Sequence, residues 1–444
     1  MNEEIKTTVP NTQKENAQPT ISATLADGSI VEMVYRPQEQ RTLFCISKND
    51  SWTYETSILS GGHRLVPYSA NNNLIKNDVV LFPSEPEEYG TEQELVQSIQ
   101  AFIRRYVDVT PLFEKIASYY VLLSWVYDAF SELPYLRLRG DPGSGKTRFL
   151  LTVGSLCYKP IFASGASTVS PIFRILDAVR GTLIIDEGDF RFSDEQAEII
   201  KILNNGNAKG FPVLRSEATG KHEYSPTAYT VFGPKLVATR GFFQDRALES
   251  RCLTEEMGQF KLREEIPINL TQEYKENALH IRNKLLLFRF RNRYHRSVEE
   301  TLVDRSIEPR LSQIFVPLLS VIKDDNARKD LYELARQYNR ELIADRGMDI
   351  EAQVLEIIHE ISSSNETRPS VKEITNWFQA RYGEEYDRKV TAKWIGSVIR
   401  TKLHLKTQKS DGVFRIAISE LPKLRRLFER FGIDPSTSQG LKGY

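Results

Sequence analysis

The sequence predicts an α/β fold, because strands and helices alternate from residue 135 to about 254, as in a parallel sheet with crossover helices. Within this region, residues 135–139 form a short predicted strand, residues 140–147 a glycine-rich loop, and residues 148–153 the start of a helix. Further along, residues 181–187 are an apolar run that ends in two acids. These two segments carry most of the functional prediction.

The glycine-rich segment has the composition of a phosphate-binding loop. Its residues are Gly140, Asp141, Pro142, Gly143, Ser144, Gly145, Lys146 and Thr147. Glycines let backbone N–H groups converge on an anion, and the helix that follows adds the partial positive charge of its N-terminus. In such a loop Lys146 reaches the β- and γ-phosphates, and the Thr147 hydroxyl is a ligand of Mg²⁺. The sequence therefore predicts ATP and Mg²⁺ as ligands.

The acidic strand end and a later strand supply the remaining groups of such a site. Asp186 is expected to hold Mg²⁺ through water, and Glu187 to polarise the attacking water. The strand over residues 234–240 ends in Thr239 and Arg240. Either of these could sense the γ-phosphate, and the sequence alone does not choose between them.

Length, charge balance, cysteine spacing and hydropathy narrow the class of protein. A chain of 444 residues is too long for one core, so several domains are expected. Basic and acidic residues both number 59, so net charge indicates no polyanionic partner. The cysteines Cys45, Cys157 and Cys252 are far apart, which argues against a zinc site or a disulfide framework. A signal peptide and a membrane-length apolar run are not apparent, so we expect a cytoplasmic protein without a membrane partner.

Composition and periodicity divide the chain into six predicted segments. They are a disordered tail (1–20), a small β module (21–88), a helical linker region (89–134), an ATPase core with a helical lid (135–345), a winged-helix domain (349–432) and a second tail (433–444). The basic run over residues 282–296 is predicted to be a helix that forms a surface or subunit contact.

The winged-helix prediction comes from the pattern of the C-terminal segment. Three amphipathic helices are expected from Ile350, after Ser370 and near Thr391, followed by strands over 403–407 and 413–418 and a last helix over 421–431. The expected recognition helix and the approach to the wing hold seven bases and no acid: Arg388, Lys389, Lys393, Arg400, Lys402, Lys406 and Lys409. Such a stretch suits phosphate contacts with DNA. A protein-docking role is the alternative.

Three of these motifs together resemble those of minichromosome-maintenance (MCM) replicative helicases. They are residues 140–143, the acid strand through residues 185–189, and the segment 248–251. The resemblance is greatest to the MCM-like, self-loading helicases of mobile elements such as the staphylococcal chromosomal cassettes. It covers about residues 135–320 and is weaker beyond. It implies an additional-strand (AAA+) ATPase that forms a ring, usually a hexamer, and moves along DNA.

The resemblance also implies roles for particular residues. Arg251, with Arg246 as second choice, would act as an arginine finger in the site of a neighbouring subunit. Arg310 would be a second sensor arginine that also acts in trans. Lys221, with His222 beside it, would form the tip of a hairpin that contacts the DNA backbone in the central channel.

The expected function is thus an ATP-dependent, ring-forming DNA helicase in the replication of a mobile element, acting on single-stranded or forked DNA. MCM helicases have a large N-terminal domain, whereas this chain has only a short β module. Another replication protein and single-stranded DNA are both open as its ligand. The alternative is a DNA-binding initiator or helicase-loader ATPase without unwinding activity. A primase–helicase fusion is disfavoured, since the first 130 residues lack an acidic cluster suited to primer synthesis.

Overall fold

The structure is a computed structural model that describes most of the chain. The described residues are 17–165, 167–186, 194–220, 223–243, 245–258, 262–347, 350–364, 368–383, 390–410 and 412–434. They form two compact units, which divide between Tyr332 and Glu333. Within the described residues, no helix is both long enough and apolar enough to cross a membrane.

Seven short strands open the first unit. They are β1 (Ala17–Thr20), β2 (Ser22–Thr24), β3 (Ile30–Arg36), β4 (Arg41–Lys48), β5 (Ser51–Glu55), β6 (Ile58–Ser60) and β7 (His63–Pro67). Strands β2 to β5 form an antiparallel sheet in chain order, and a smaller sheet has the order β1-β7-β6. Residues 17–20, which we predicted as part of a disordered tail, instead pair in parallel with β7. Their side chains are mostly exposed, so backbone pairing rather than burial forms this edge strand, where Pro19 is tolerated.

Three helices connect this module to the central sheet. They are α1 (Asn73–Lys76), α2 (Glu92–Tyr106) and α3 (Pro111–Trp125). Helix α2 begins at a capping box, in which Thr91 and Glu94 each satisfy the other's backbone N–H. Helix α3 begins at Thr110, which caps it, and has Pro111 in its first turn.

The predicted α/β fold with a parallel sheet is confirmed. The sheet consists of β8 (Tyr135–Arg139), β9 (Ile161–Ser164), β10 (Leu183–Asp186), β13 (Lys235–Thr239) and β14 (Cys252–Glu256), in the order β14-β8-β13-β10-β9. Every neighbouring pair is parallel. The strands β11 (Val213–Gly220) and β12 (Glu223–Tyr229) pair antiparallel as a separate hairpin. All carboxyl ends of the five parallel strands therefore share one edge.

Helices cover this sheet and continue beyond it. They are α4 (Lys146–Gly154), α5 (Val169–Val179), α6 (Asp194–Asn205), α7 (Arg246–Glu249), α8 (Gln272–Asn292), α9 (Pro309–Val321) and α10 (Asp325–Gly347). The N-terminal module packs on the same apolar core, since Met33 and Phe82 belong to one buried cluster with Ile161 and Leu183.

Two bases of the run over residues 282–296, which we expected to form a surface or subunit contact, are instead internal. Arg282 and Arg289 of α8 are both buried. Arg282 donates to the carbonyl of Ser155, while Arg289 forms ion pairs with Glu32 of β3 and with Asp128. Sequence could not reveal this burial, because these acids lie far away along the chain.

After the C-terminal part of α10, the described residues of the second unit include three helices, a hairpin and a final helix. These elements are α11 (Ile350–Ser364), α12 (Val371–Tyr382), α13 (Ala392–Ser397), β15 (Thr407–Ser410), β16 (Val413–Ile416) and α14 (Leu421–Arg430). The strand predicted over residues 403–407 is wrong, because β15 begins only at Thr407. Leu403 and Leu405 are both buried in the core of this unit, and His404 between them has a φ of +51°. The chain therefore turns here and is not an extended strand.

Candidate nucleotide-binding site

The glycine-rich loop joins β8 to α4 at the carboxyl edge of the parallel sheet. Gly145, which precedes the helix, has a φ of +95°, a conformation that other residues rarely adopt. At Gly140 a Cβ atom would lie 2.6 Å from the carbonyl oxygen of Met257. The first four N–H groups of an α-helix lack intrahelical acceptors. The loop thus brings the N-terminus of α4 to a point where an anion can bind.

Two polar side chains of the loop fit a phosphate ligand. The Lys146 ammonium donates to the carbonyls of Gly140, at 2.6 Å, and Asp141, at 2.8 Å. The Ser144 hydroxyl oxygen is buried and has no hydrogen-bond partner in the described part of the chain. A buried hydroxyl without a partner is costly, and an oxygen of a bound phosphate would satisfy it.

Thr147 and Asp186 meet at the same edge. The Thr147 hydroxyl donates to Oδ2 of Asp186 over 2.6 Å, although β8 and β10 are separated by β13. A hydroxyl and one carboxylate suit Mg²⁺, which keeps several waters and takes few protein ligands. Within the described residues, no cluster of three or more acidic, histidine or cysteine side chains offers another metal site.

The two sensor candidates lie beside the loop at the end of β13. Thr239 is buried; its hydroxyl donates to the Gly241 carbonyl over 3.0 Å, and its own carbonyl accepts from the Gly140 N–H. Arg240 is exposed. The backbone of β13 thus contacts the loop directly.

Arg251 lies at the opposite edge of the sheet from the loop. Cys252, the next residue, pairs with Tyr135 at the start of β8, whereas the loop follows Arg139 at its end. The Arg251 guanidinium donates to Asn207 Oδ1 at 2.8 Å, Asn204 Oδ1 at 2.5 Å and the Ala247 carbonyl at 2.6 Å.

Arg310 is the second arginine at this edge. Its guanidinium donates to the same Ala247 carbonyl over 3.1 Å. Burial lowers the pKa of Arg251, and the positive charge of nearby Arg310 lowers it further. Among the described residues, no carboxylate lies within ion-pair distance of either arginine. The two arginines therefore share one neutral acceptor, while Asp245 interacts electrostatically with Arg251 and Glu132 with Arg310.

The remaining predicted site residues form two groups. One lies outside the described residues, and the other lies in the second unit. Glu187, Lys221, His222, Arg388 and Lys389 lie outside the described residues, as does the side chain of Arg246.

Of the described bases in the second unit, Lys393, Arg400, Lys406 and Lys409 are all exposed. Lys402 is exposed as well but forms an ion pair with Glu351 over 3.2 Å. Its charge is therefore partly compensated.

Three residues near these edges escaped the sequence analysis. Asn204 and Asn207 hold Arg251. Met257 packs against the phosphate loop. The only sequence signal was the amide-rich end of α6, which by itself indicates a helix terminus. The contacts with Arg251 span more than forty residues.

No protein-family model matches the sequence, and no curated protein matches it either. Several solved structures are similar at low identity. The C-terminal region of NrS-1 is 12% identical, with 87% of this chain and 95% of that one covered and a TM-score of 0.36. The Cch active helicase of SCCmec type IV is 11% identical over 93% and 95% of the two chains, with a TM-score of 0.34. A full-length MCM homolog from Methanopyrus kandleri is 12% identical over 70% and 73%, with a TM-score of 0.35. Scores of this size describe a distant likeness in fold.

Proposed function

We propose that this chain is an ATP-dependent, ring-forming DNA helicase of the MCM-like, additional-strand (AAA+) class. The observation that carries the proposal is that the predicted phosphate loop and the predicted trans-acting arginines lie at opposite edges of the same sheet. The loop with Thr147 and Asp186 is at the carboxyl edge, and Arg251 with Arg310 is at the amino edge. Five residues of β8 at about 3.3 Å per residue span roughly 16 Å, and this separation favours arginines that serve the nucleotide of another copy.

Strand order supports the same class. Strand β13 lies between the loop strand β8 and the acid strand β10, which is the inserted strand that gives additional-strand ATPases their name. Arg251 is held by neutral oxygens rather than by a carboxylate. A surface arginine in a salt bridge would not need this arrangement, whereas an arginine finger needs its charge intact.

Each residue has a defined role in the proposed reaction. Lys146 and the N-terminus of α4 bind the phosphates, and Thr147 and Asp186 hold Mg²⁺, which neutralises phosphoryl charge when bound. Glu187 polarises the attacking water, and either Thr239 or Arg240 senses the γ-phosphate. Arg251 and Arg310 of a neighbouring copy stabilise the negative charge that develops on the transferred group.

The DNA contacts are proposed in two places. Lys221 and His222, which follow β11 in the sequence, are proposed to contact the DNA backbone in the ring channel. The second unit acts as a winged helix that presents Arg388, Lys389 and the exposed bases from Lys393 to Lys409 to the phosphate backbone. Replication of a mobile element is the proposed setting.

Lys146→Ala tests the site. We expect ATP turnover to fall by at least about 100-fold, because the lysine stabilises the transferring phosphate. Arg251→Ala should bind a fluorescent ATP analogue as the unaltered protein does, yet lose turnover to a similar extent. Normal hydrolysis in Lys146→Ala would refute the nucleotide site, and normal hydrolysis in Arg251→Ala would refute the role in trans.

Strand displacement tests the helicase activity itself. A forked DNA with a labelled strand should be unwound only with hydrolysable ATP. The initiator or loader alternative predicts ATP-controlled DNA binding without displacement.

A further inference from the structure

Asn204 stands between the arginine at the amino edge and a nearby acid. Its Oδ1 accepts from Arg251 Nη1 over 2.5 Å, and its Nδ2 donates to Asp245 Oδ2 over 2.5 Å. A guanidinium only donates and a carboxylate only accepts, so the amide can be oriented in one way. The Asn204 side chain thus forms hydrogen bonds with both Arg251 and Asp245.

Two backbone hydrogen bonds at the start of α7 also hold Asp245 in place. Its Oδ1 accepts from the N–H groups of Ala247 at 2.8 Å and Leu248 at 3.4 Å, at the start of α7. Its other oxygen is bound by Asn204, which leaves the carboxylate close to Arg251 but bonded to a neutral group. Burial raises the pKa of Asp245, but the hydrogen bonds from Asn204, Ala247 and Leu248 and the positive charge of Arg251 together lower it.

A direct ion pair between Asp245 and Arg251 would change the charge and the free hydrogen-bond donors of Arg251. Arginine–carboxylate pairs are strong and often bidentate, so they use up the donors and cancel the charge. An arginine finger needs its hydrogen-bond donors and its positive charge to stabilise the transferred phosphoryl group.

We propose that Asn204 is a positioning residue that keeps Asp245 from pairing with Arg251. It thereby presents a charged guanidinium to the nucleotide of the neighbouring copy. This inference rests on the proposed function, since it assumes that Arg251 acts in trans.

Removal of the amide and of the acid gives the first test. Asn204→Ala is expected to lower ATP turnover at least about tenfold, because Asp245 then captures Arg251, while binding of a fluorescent ATP analogue stays unchanged. Asp245→Asn alone should have near-normal turnover, since asparagine is also a good N-cap. The double variant Asn204→Ala/Asp245→Asn should recover most of the lost turnover. A double variant as slow as Asn204→Ala, or slower, would overturn the proposal.

Asn204→Asp serves as a second variant, should the alanine variant fail to fold. It places a carboxylate directly against Arg251 and keeps the side-chain volume, so turnover should fall while nucleotide binding persists. Normal turnover in a folded Asn204→Asp protein would contradict the proposal.

Mixed assemblies separate this inference from the proposed function. Asn204→Ala copies keep an intact phosphate loop, and Lys146→Ala copies keep an intact arginine, so the mixture should turn over ATP faster than either variant alone. Arg251→Ala mixed with Lys146→Ala is the reference. If the reference mixture stays inactive, the shared site itself is wrong, and the role of Asn204 falls with it. If only the Asn204→Ala mixture stays inactive, Asn204 acts elsewhere.

Discussion

Glu32 of β3 is a buried carboxylate that forms hydrogen bonds and ion pairs with residues from distant parts of the chain. The Tyr158 hydroxyl donates to its Oε1 over 2.6 Å, and Arg289 Nε donates to the same oxygen over 2.7 Å. Lys159 Nζ lies 3.0 Å from Oε2. A buried carboxylate with two cations is stable only while each charge keeps its partner. Glu32 thus joins the N-terminal module to the part of the chain that carries the central sheet, in addition to the apolar core that the two share.

Glu32→Gln is therefore expected to lower the free energy of unfolding of the first unit by about 3–5 kcal/mol at pH 7, since it leaves buried cations uncompensated. The loss should be smaller near pH 9.5. Burial lowers the pKa of Lys159 to about 8, even with Glu32 beside it, so above that pH the folded state can hold this lysine neutral. Urea titrations at both pH values measure the difference. Asp27→Asn, which removes an exposed pair with Lys48, is the control, and an equal loss there would contradict the role of burial.

The three cysteines lead to a second residue-scale prediction. Cys45, Cys157 and Cys252 are free and buried, and burial raises the pKa of each thiol to about 12. The thiolate is the reactive form. A chromogenic disulfide reagent at pH 8 should therefore label no thiol of the native protein and three after unfolding in guanidinium. Rapid native labelling would show that one of these cysteines is accessible.

At the scale of elements, the sequence predicted the helices, strands and loops that depend on residues adjacent in the chain. The loop between β8 and α4 and the acid strand β10 are contiguous, and their chemistry depends on local spacing. The pairing of β1 with β7 and the turn at His404 depend on partners elsewhere, so local pattern could not indicate them. For the same reason the asparagines that hold Arg251 were missed, although the arginine itself was selected.

The basic residues of the second unit allow an element-scale prediction. Arg400→Ala and Lys406→Ala should each weaken binding to DNA of any sequence and reduce the slope of log K against log salt by about 1, because each removes one phosphate contact. Lys402→Ala is the matched control on the same segment. Its ion pair with Glu351 already compensates its charge, so we expect a smaller change. Fluorescence anisotropy across a salt series measures all three. Equal effects at Lys402 and Arg400 would show that the ion pair does not govern the contact.

At the scale of the whole molecule, the proposed function makes the two edges of the parallel sheet complementary parts of one site that is shared between copies. Arg251 and Arg310 lie at the amino edge, away from the loop of their own copy. Activity should then depend on assembly rather than on the folded chain alone. Strand order and the placement of Arg251 before β14 together produce this division.

Turnover per chain should therefore rise with protein concentration and reach a plateau when assembly is complete. Arginine fingers contribute about 10³–10⁵-fold to hydrolysis in other phosphoryl-transfer enzymes, so under the proposed function dilution should reduce the specific rate steeply. Light scattering on the same samples, with a non-hydrolysable ATP analogue, gives the assembly state at each concentration. Arg251→Ala should assemble over the same range but show a low rate that does not change with concentration, because the completed site still lacks its cation. A constant, high specific rate in samples that scatter as single chains would contradict the shared site.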